Sequence, residues 1–169
     1  MENKELRFLG VDAGQFGAFC FLDTRGSIVE IIDMPYIYGV GVDSKVCWDI
    51  LSTRKEKYDL RATFELCSYT PSISGKGAFQ FGKNIQAVET ILICLQLPVM
   101  YVRPNEWEKY FGLIKKTKAD ACHLAYQMQP EHRDVFFHTN SRTKREVLSD
   151  GRADAYLIAE YGRRKLNIK

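Results

Sequence analysis

The chain has 169 residues, 46% of them hydrophobic and 27% charged, with a formal net charge of +3. This length and composition are typical of one globular domain, and we expect residues 1–169 to form a single folded unit. No apolar run reaches the roughly 18 residues that a membrane helix requires, and the polar N-terminus lacks the pattern of a signal peptide. We therefore expect a cytoplasmic protein with no membrane partner.

Three predicted strands come first in the chain. An apolar run over residues 6–14 predicts a buried strand, and residues 18–35 predict two more strands joined by a turn at residues 24–26. We expect these three strands to form an antiparallel meander.

Helices and strands alternate in the remainder of the chain. Apolar spacing predicts helices at residues 43–60, 84–97, 105–113, 117–128 and 148–165, short strands at 61–69 and 99–104, and a glycine-bearing loop at 70–83. This order predicts an α/β three-layer domain, with a mixed central sheet and helices on both faces.

Positive charge is concentrated in the C-terminal part of the chain. Residues 1–100 contain 10 Lys and Arg against 12 Asp and Glu, whereas residues 101–169 contain 14 against 9. The excess lies in three short runs, at residues 115–118, 141–145 and 162–165. Such runs are commonly solvated surface, but three of them in one half of the chain favour a phosphate-binding side.

Five cysteines are scattered along the sequence without a CxxC pair. Most have apolar neighbours, and their odd number fits neither a disulfide framework nor a zinc site. We expect small core residues in a reducing compartment. The cysteines are Cys20, Cys47, Cys67, Cys94 and Cys122.

Two carboxylates end predicted buried strands. Asp12 closes the first strand, and Glu65 closes the strand that begins at residue 61. A charged side chain in a buried strand is costly unless it is paired, so each of these carboxylates is expected to have a partner or a functional role. The carboxyl ends of parallel strands face one crevice, where the two side chains would meet.

Two further carboxylates begin the last predicted helix. Asp150 and Asp154 are four residues apart, so both side chains lie on one helix face. Capping of the helix N-terminus is the alternative explanation for them. Four carboxylates in one cleft need cations, and their hard oxygens suit Mg²⁺ or Mn²⁺. Two such ions about 4 Å apart would activate water for phosphodiester hydrolysis.

Four stretches carry a resemblance to a known family. In chain order they are FLGVDAGQFGAFCFLD, ATFELCSY, FGKNIQAVETILICLQLPVMYVRPNEWEKYFGL and DGRADAYLIAEYG. They resemble the RuvC-type Holliday-junction resolvases of the RNase H-like superfamily, and within that family the phage and chloroplast branch. The likeness covers almost the whole chain, and the last stretch is its most specific part.

The resemblance implies an RNase H-like fold and a homodimer that cleaves four-way DNA junctions by phosphodiester hydrolysis. It implies two Mg²⁺ or Mn²⁺ ions per active site, no nucleotide cofactor, and a bacterial cell, a phage-infected cell or an organelle as the setting. Asp12, Glu65, Asp150 and Asp154 take the metal-ligand positions. The bacterial enzyme usually spaces its last two acidic residues by three rather than four, and some relatives have His in place of Asp150. The resemblance therefore supports Asp154 more directly than Asp150.

The resemblance also implies residues that contact DNA. Lys118 matches a family lysine that stabilises negative charge near the scissile phosphate, and we count it with the catalytic residues. Lys116 is the alternative for this role. Tyr69 and Phe79 flank the loop after Glu65, where related resolvases stack an aromatic ring on unpaired bases; core packing is the alternative. The expected DNA-binding set is Tyr69, Lys76, Phe79, Lys83, Lys116, Arg142, Lys144, Arg145 and Arg152.

Three other functions share parts of this pattern. A related nuclease would cut branched or flap DNA, or RNA in an RNA–DNA hybrid. A non-catalytic protein would only bind junctions, but the full carboxylate set argues against it. A sugar-kinase-like ATPase is disfavoured, because that fold needs a duplicated domain.

We expect the homodimer to form through the apolar helix at residues 84–97. We expect Trp107 to be a core-packing residue.

Overall fold

A computed structural model describes residues 4–66 and 74–166 of the chain. Its centre is a five-stranded sheet in the order β3-β2-β1-β6-β7. The strands are β1 Glu5–Val11, β2 Ala18–Leu22, β3 Ile28–Asp33, β6 Tyr58–Glu65 and β7 Val99–Val102. β1 to β3 form an antiparallel meander, whereas β6 is parallel to β1 and β7 is parallel to β6. The predicted mixed sheet is confirmed.

Helices cover both faces of the sheet, as the order of predicted elements indicated. One face packs against α1 (Ser44–Lys57) and α2 (Gly75–Cys94). The opposite face packs against the C-terminal helix and three shorter helices that surround it. These are α3 Pro104–Tyr110, α4 Lys118–Met128, α5 Arg133–Phe136, which follows a 3-10 turn at Pro130–His132, and α6 Asp150–Leu166.

Alternation along β1 decides which side chains face which layer. Leu9 and Val11 belong to the core beneath α1 and α2, whereas Phe8 belongs to the core beneath α6. Gly10 also faces α6, and a Cβ at this position would lie 2.0 Å from the carbonyl oxygen of Ala155. The helix therefore packs directly on the strand backbone. Asp12, two residues after Gly10, faces α6 as well.

The structure differs from the predicted loop at residues 70–83. α2 begins at Gly75, where the Ser74 hydroxyl accepts a 3.2 Å hydrogen bond from the Gly77 amide. Contacts with a small hairpin, β4 (Tyr36–Ile37) and β5 (Gly41–Val42), hold this first part of the helix. Lys83 donates to the Val40 carbonyl, and the buried Asn84 side chain accepts from the Val42 amide. These tertiary contacts outweigh the low helix propensity of its glycines.

The structure also contains a second hairpin and places one cysteine differently from the prediction. A second hairpin, β8 (Phe137–Thr139) and β9 (Glu146–Leu148), flanks the predicted basic loop and was not predicted. The cysteines Cys20, Cys47 and Cys122 are buried as expected, but Cys94 is exposed at the end of α2, so its assignment to the core was wrong. Cys67 lies outside the described residues. No helix of the described ranges is long and apolar enough to cross a membrane.

Candidate active site

Strand register brings Asp12 and Glu65 together. β1 and β6 are parallel with Val11 opposite Phe64, so the next residues along each strand, Asp12 and Glu65, are neighbours. Thr63 lies beneath α6, because a Cβ on Gly162 would meet its hydroxyl at 1.8 Å. Glu65 follows Thr63 by two residues and faces the same side. Both carboxylates therefore lie at the carboxyl edge of the sheet, on the side of α6.

The first two turns of α6 bring Asp150 and Asp154 to this edge. Gly151 packs against the turn between β1 and β2, where a Cβ would lie 1.7 Å from the carbonyl oxygen of Phe16. This contact holds the start of α6 beside Asp12. The Asp154 side chain is buried, whereas the Asp150 side chain is 42% exposed. Since α6 begins at Asp150, Asp154 lies one turn inside the helix and is not its cap.

Lys118 joins these carboxylates from the first residue of α4. Its ammonium forms an ion pair with Asp154 and lies 3.9 Å from Oδ2 of Asp150. The start of α4 is defined by a capping box, in which Thr117 and Asp120 satisfy each other's backbone amides. Lys116 is exposed two residues earlier. Of the two lysines considered from the sequence, Lys118 is the one that contacts the carboxylates.

Burial and mutual repulsion shift the ionisation of the cluster. Burial raises the pKa of Asp12 to about 7, with a further rise from Glu65 and then Asp154, although the Gly14 amide and Lys118 oppose it. Burial also raises the pKa of Asp154 to about 6, against the favourable pairing with Lys118. Burial disfavours the Lys118 ammonium, but Asp154 and then Asp150 outweigh that effect and raise its pKa. Asp12 and Asp154 therefore lie in surroundings that disfavour their ionised forms, even with Lys118 nearby.

α3 adds two residues that sequence reasoning did not place here. The indole Nε1 of the buried Trp107 donates a 2.6 Å hydrogen bond to Oε1 of Glu65. Trp107 is thus a core residue, as expected, and also a direct partner of a candidate ligand. Burial and then repulsion from Glu65 raise the pKa of Glu108. Both residues, with Lys118 and Asp154, line a cavity of about 150 Å³ between α3 and α4.

The donor set has the chemistry of a divalent-cation site. Its ligands are hard carboxylate oxygens, and burial, together with repulsion from neighbouring carboxylates, raises the pKa of Asp12 and Asp154, so a bound cation would favour their ionised forms. Among residues 4–66 and 74–166, however, no three Asp, Glu, His or Cys side chains are drawn close enough together to hold an ion. The metal-ligand role of these carboxylates remains a prediction.

The residues expected to contact DNA lie in three places. Lys76, Phe79 and Lys83 lie on the first half of α2, where the Phe79 ring is 74% exposed. Arg142, Lys144 and Arg145 are exposed in the loop between β8 and β9, as the sequence indicated, and Lys116 is exposed before α4. Tyr69 lies outside the described residues.

Arg152 has a different environment from the other basic residues. Its guanidinium forms a bidentate ion pair with Asp33 at the end of β3, with distances of 2.6 and 2.7 Å. The pair ties the first turn of α6 to the edge of the sheet. The expected contact between Arg152 and DNA stays a prediction, and it would compete with this ion pair.

The fold was compared with known proteins. The sequence matches no family model and no curated protein. Two solved structures of Thermus thermophilus RuvC, however, are similar to this chain. The chain shares the RNase H-like fold of RuvC. A structure of T. thermophilus RuvC in complex with Holliday junction substrate has a TM-score of 0.61 and 13% sequence identity, covering 94% of this chain and 95% of RuvC. A second RuvC structure has a TM-score of 0.60 and 13% identity, covering 93% and 95%.

At 13% identity the likeness establishes the fold. It confirms the fold predicted from the sequence and agrees with the resemblance drawn from the four motifs. The site residues themselves are identified by the register, packing and electrostatics described above, and their roles belong to the proposal that follows.

Proposed function

We propose that this protein is a metal-dependent endonuclease that resolves four-way DNA junctions. One observation carries the proposal: Asp12, Glu65 and Asp154 interact electrostatically at the carboxyl edge of an RNase H-like sheet, where Lys118 pairs with Asp154. A hydrolytic site for phosphodiesters needs both kinds of group, anionic ligands for a metal and a cation for the phosphate. The similar RuvC, solved with a Holliday junction substrate, supports the choice of DNA substrate.

The carboxylates are proposed to hold the metal. Asp12, Glu65 and Asp154 would provide the ligands for Mg²⁺ or Mn²⁺, with the more exposed Asp150 at the edge of the set. When bound, the metal supplies a lowered pKa for water and stabilises negative charge on phosphate oxygens. Trp107 donates a hydrogen bond to Oε1 of Glu65 and so helps to orient this proposed ligand. That two ions bind in each site is a prediction from the family resemblance.

Lys118 is proposed to serve the phosphate. Its ammonium pairs with Asp154 and approaches Asp150. If these carboxylates held a cation, Lys118 would be available to a phosphate oxygen. The Lys118 side chain is 65% exposed, so it can reach a DNA strand that lies across the carboxylate cluster. There a positive charge stabilises the charge that develops during hydrolysis.

The homodimer belongs to the same proposal. Two opposed strands of a junction must be cut, and a twofold pair of sites suits that task. The second half of α2 presents the exposed apolar residue Ile93, with Gln86 and Thr90 exposed before it. A second copy of this chain is the proposed occupant of that surface. Ile93→Glu should then shift the mass in solution from dimer to monomer, as measured by light scattering.

Cleavage of synthetic branched DNA tests the proposed function. The protein is incubated with an immobile four-way junction, a flap, a nicked duplex and an RNA–DNA hybrid, with Mg²⁺ or EDTA. We expect Mg²⁺-dependent cuts at the junction centre, and Glu65→Gln should abolish cleavage while retaining most junction binding. Preferential cutting of the flap or of the hybrid would replace the resolvase by a related nuclease. Tight junction binding without cleavage would indicate a non-catalytic protein.

A further inference from the structure

A second cavity lies beside the carboxylate cluster and is not used by the chemistry above. Its volume is about 520 Å³, and it lies between the β1–β2 turn, the end of β3, the β8–β9 hairpin and the start of α6. Asp150 lines this cavity and also lies 3.9 Å from the Lys118 ammonium, so the cavity adjoins the carboxylate cluster. The other residues that matter here are Phe16, Asp33, His138, Ser149 and Arg152.

An exposed aromatic ring stands on one side of this cavity. The Phe16 side chain is 79% exposed, although the backbone that carries it is firmly held. Gly14 and Gly17 close the turn through a 3.1 Å hydrogen bond, and the Met34 amide donates to the Gly17 carbonyl at 2.8 Å. Gly151 packs against the Phe16 carbonyl from the other side. An exposed phenyl ring contributes little to the stability of the fold. A ring that a rigid turn holds in this position is suited to stacking against another aromatic ring.

The remaining walls of the cavity are polar and equally fixed. The bidentate pair of Asp33 and Arg152 joins β3 to α6. On the hairpin side, Nδ1 of His138 lies 3.1 Å from the Ser149 hydroxyl. The imidazole and the hydroxyl both donate and accept hydrogen bonds, which is the mixed pattern that the edge of a nucleobase requires. An apolar face and a polar edge thus confront each other across a space of ligand size.

The neighbouring charges indicate what kind of molecule brings a base to this place. Arg142, Lys144 and Arg145 are exposed at the tip of the same hairpin that supplies His138. They provide positive charge for the phosphates of a strand that continues beyond the cavity. A free base or nucleoside would not need them. A nucleotide within a DNA strand uses the hairpin, the cavity and the carboxylate cluster together.

We infer that this cavity binds one nucleobase of the strand that is cleaved, stacked on Phe16 and contacted at its edge by His138 and Ser149. This inference rests on the nuclease function proposed above and extends it to sequence preference. A base held next to Asp150 lies near the proposed metal ligands, so its identity determines how well the adjacent phosphodiester is placed. The cavity is therefore the specificity determinant of the site.

A binding experiment without metal tests the cavity independently of catalysis. The affinity for a 12-nucleotide oligothymidylate is compared with that for an abasic strand of the same length, in EDTA. Phe16→Ala should weaken oligothymidylate binding about 5-fold or more and leave binding of the abasic strand unchanged, because only a base can stack. Trp48→Ala, which removes an exposed aromatic from α1 on the opposite face of the sheet, is the matched control. Equal loss for both strands, or no loss for either, would overturn the inference.

A cleavage experiment tests the edge contacts. Junctions with every base combination at the two positions flanking the cut are mixed, and the cleaved products are sequenced. The wild type should prefer some bases, and His138→Ala or Ser149→Ala should reduce that preference at one position about 5-fold or more. An unchanged preference would exclude these contacts. If the wild type cleaves no junction, the proposed function is wrong, and the comparison of oligothymidylate with the abasic strand still decides whether the cavity binds a base.

Discussion

The indole of Trp107 holds the carboxylate of Glu65. Nε1 donates a 2.6 Å hydrogen bond to Oε1, and the ring is only 3% exposed in the core beneath α6. This short hydrogen bond from a buried donor restricts the rotation of the glutamate. The position of one proposed metal ligand is therefore set by the packing of α3.

Trp107→Phe separates packing from hydrogen bonding. The phenyl ring preserves much of the buried contact but removes the donor, so Glu65 loses one restraint on its orientation. We expect about a 10-fold rise in the Mg²⁺ concentration needed for half-maximal cleavage, as is typical when a ligand loses its supporting hydrogen bond. A Mg²⁺ titration of junction cleavage, together with a melting curve, measures this effect.

Tyr156→Phe is the matched control for that variant. It removes another buried hydrogen bond, in which the Tyr156 hydroxyl accepts from Nε2 of Gln129 at 3.1 Å, and it leaves Glu65 untouched. It should lower the melting temperature without changing the Mg²⁺ requirement. If both variants raised the requirement equally, Trp107 would be a stabilising residue only.

The pH dependence of stability reports on Asp12. In the folded, metal-free protein its pKa is about 7, above the value of about 3.9 for an unfolded aspartate. A raised pKa stabilises the fold fully below the unfolded value, and this contribution is lost as the pH rises through about 7. Because pH 5 already lies above the unfolded value, we expect Asp12→Asn to melt somewhat above the wild type at pH 5 and by a larger margin at pH 8.

Thermal unfolding in EDTA across this pH range measures the difference between the two proteins. Because other groups titrate in both of them, the difference isolates Asp12 from the histidines. A gap that stays constant from pH 5 to 8 would contradict the raised pKa. Added Mg²⁺ should stabilise the wild type at pH 8 but have a smaller effect on the variant, since binding to the folded state alone raises stability.

The hairpin loop between β8 and β9 is predicted to contact phosphates. Replacement of Arg142, Lys144 and Arg145 by Ala should weaken junction binding and flatten its salt dependence, because each phosphate contact contributes about 0.9 to the slope of log K against log salt. Binding isotherms between about 50 and 200 mM salt measure the slope.

A second triple variant serves as the control, because it removes the same number of positive charges from a different part of the protein. Arg25, Lys45 and Lys57 are exposed basic residues far along the chain from the hairpin, and their replacement by Ala removes the same three charges. It should alter the slope little. Equal slopes for the two variants would mean that net charge, rather than this loop, drives DNA binding.

Strand and helix periodicity predicted much of this site. Asp12 and Glu65 stood out because each ends an apolar run, and parallel strands bring such ends together. The four-residue spacing of Asp150 and Asp154 placed both on one face of a helix, as observed. These are local patterns, and each depends only on residues close in the sequence.

The contacts that sequence reasoning missed join distant segments. Arg152 pairs with Asp33, 119 residues away, and Trp107 donates to Glu65, 42 residues away. Neither pair follows from periodicity, because each depends on how one packed element is rotated against another. The β8–β9 hairpin was missed for another reason: strands of three residues are too short to show an alternating pattern.

The two aspartates of α6 are predicted to differ in effect. Asp154 is buried, lies inside the helix and pairs with Lys118, whereas Asp150 is half-exposed in the first turn. Capping explains neither the burial of Asp154 nor its pKa of about 6. Asp154→Asn should therefore abolish Mg²⁺-dependent junction cleavage with the fold intact. Its melting temperature in EDTA at pH 8 should equal or exceed that of the wild type, because a buried carboxylate with a raised pKa has been neutralised.

Asp150→Asn should be milder, because the side chain is more exposed and lies at the edge of the cluster. We expect reduced cleavage at low Mg²⁺ that recovers substantially as the Mg²⁺ concentration rises, whereas Asp154→Asn should not recover at any concentration. Parallel Mg²⁺ titrations of both variants, with circular dichroism to verify the fold, distinguish the two residues. Full activity in Asp154→Asn would remove the central ligand from the proposed site, and with it the case for a metal-dependent nuclease built on this cluster.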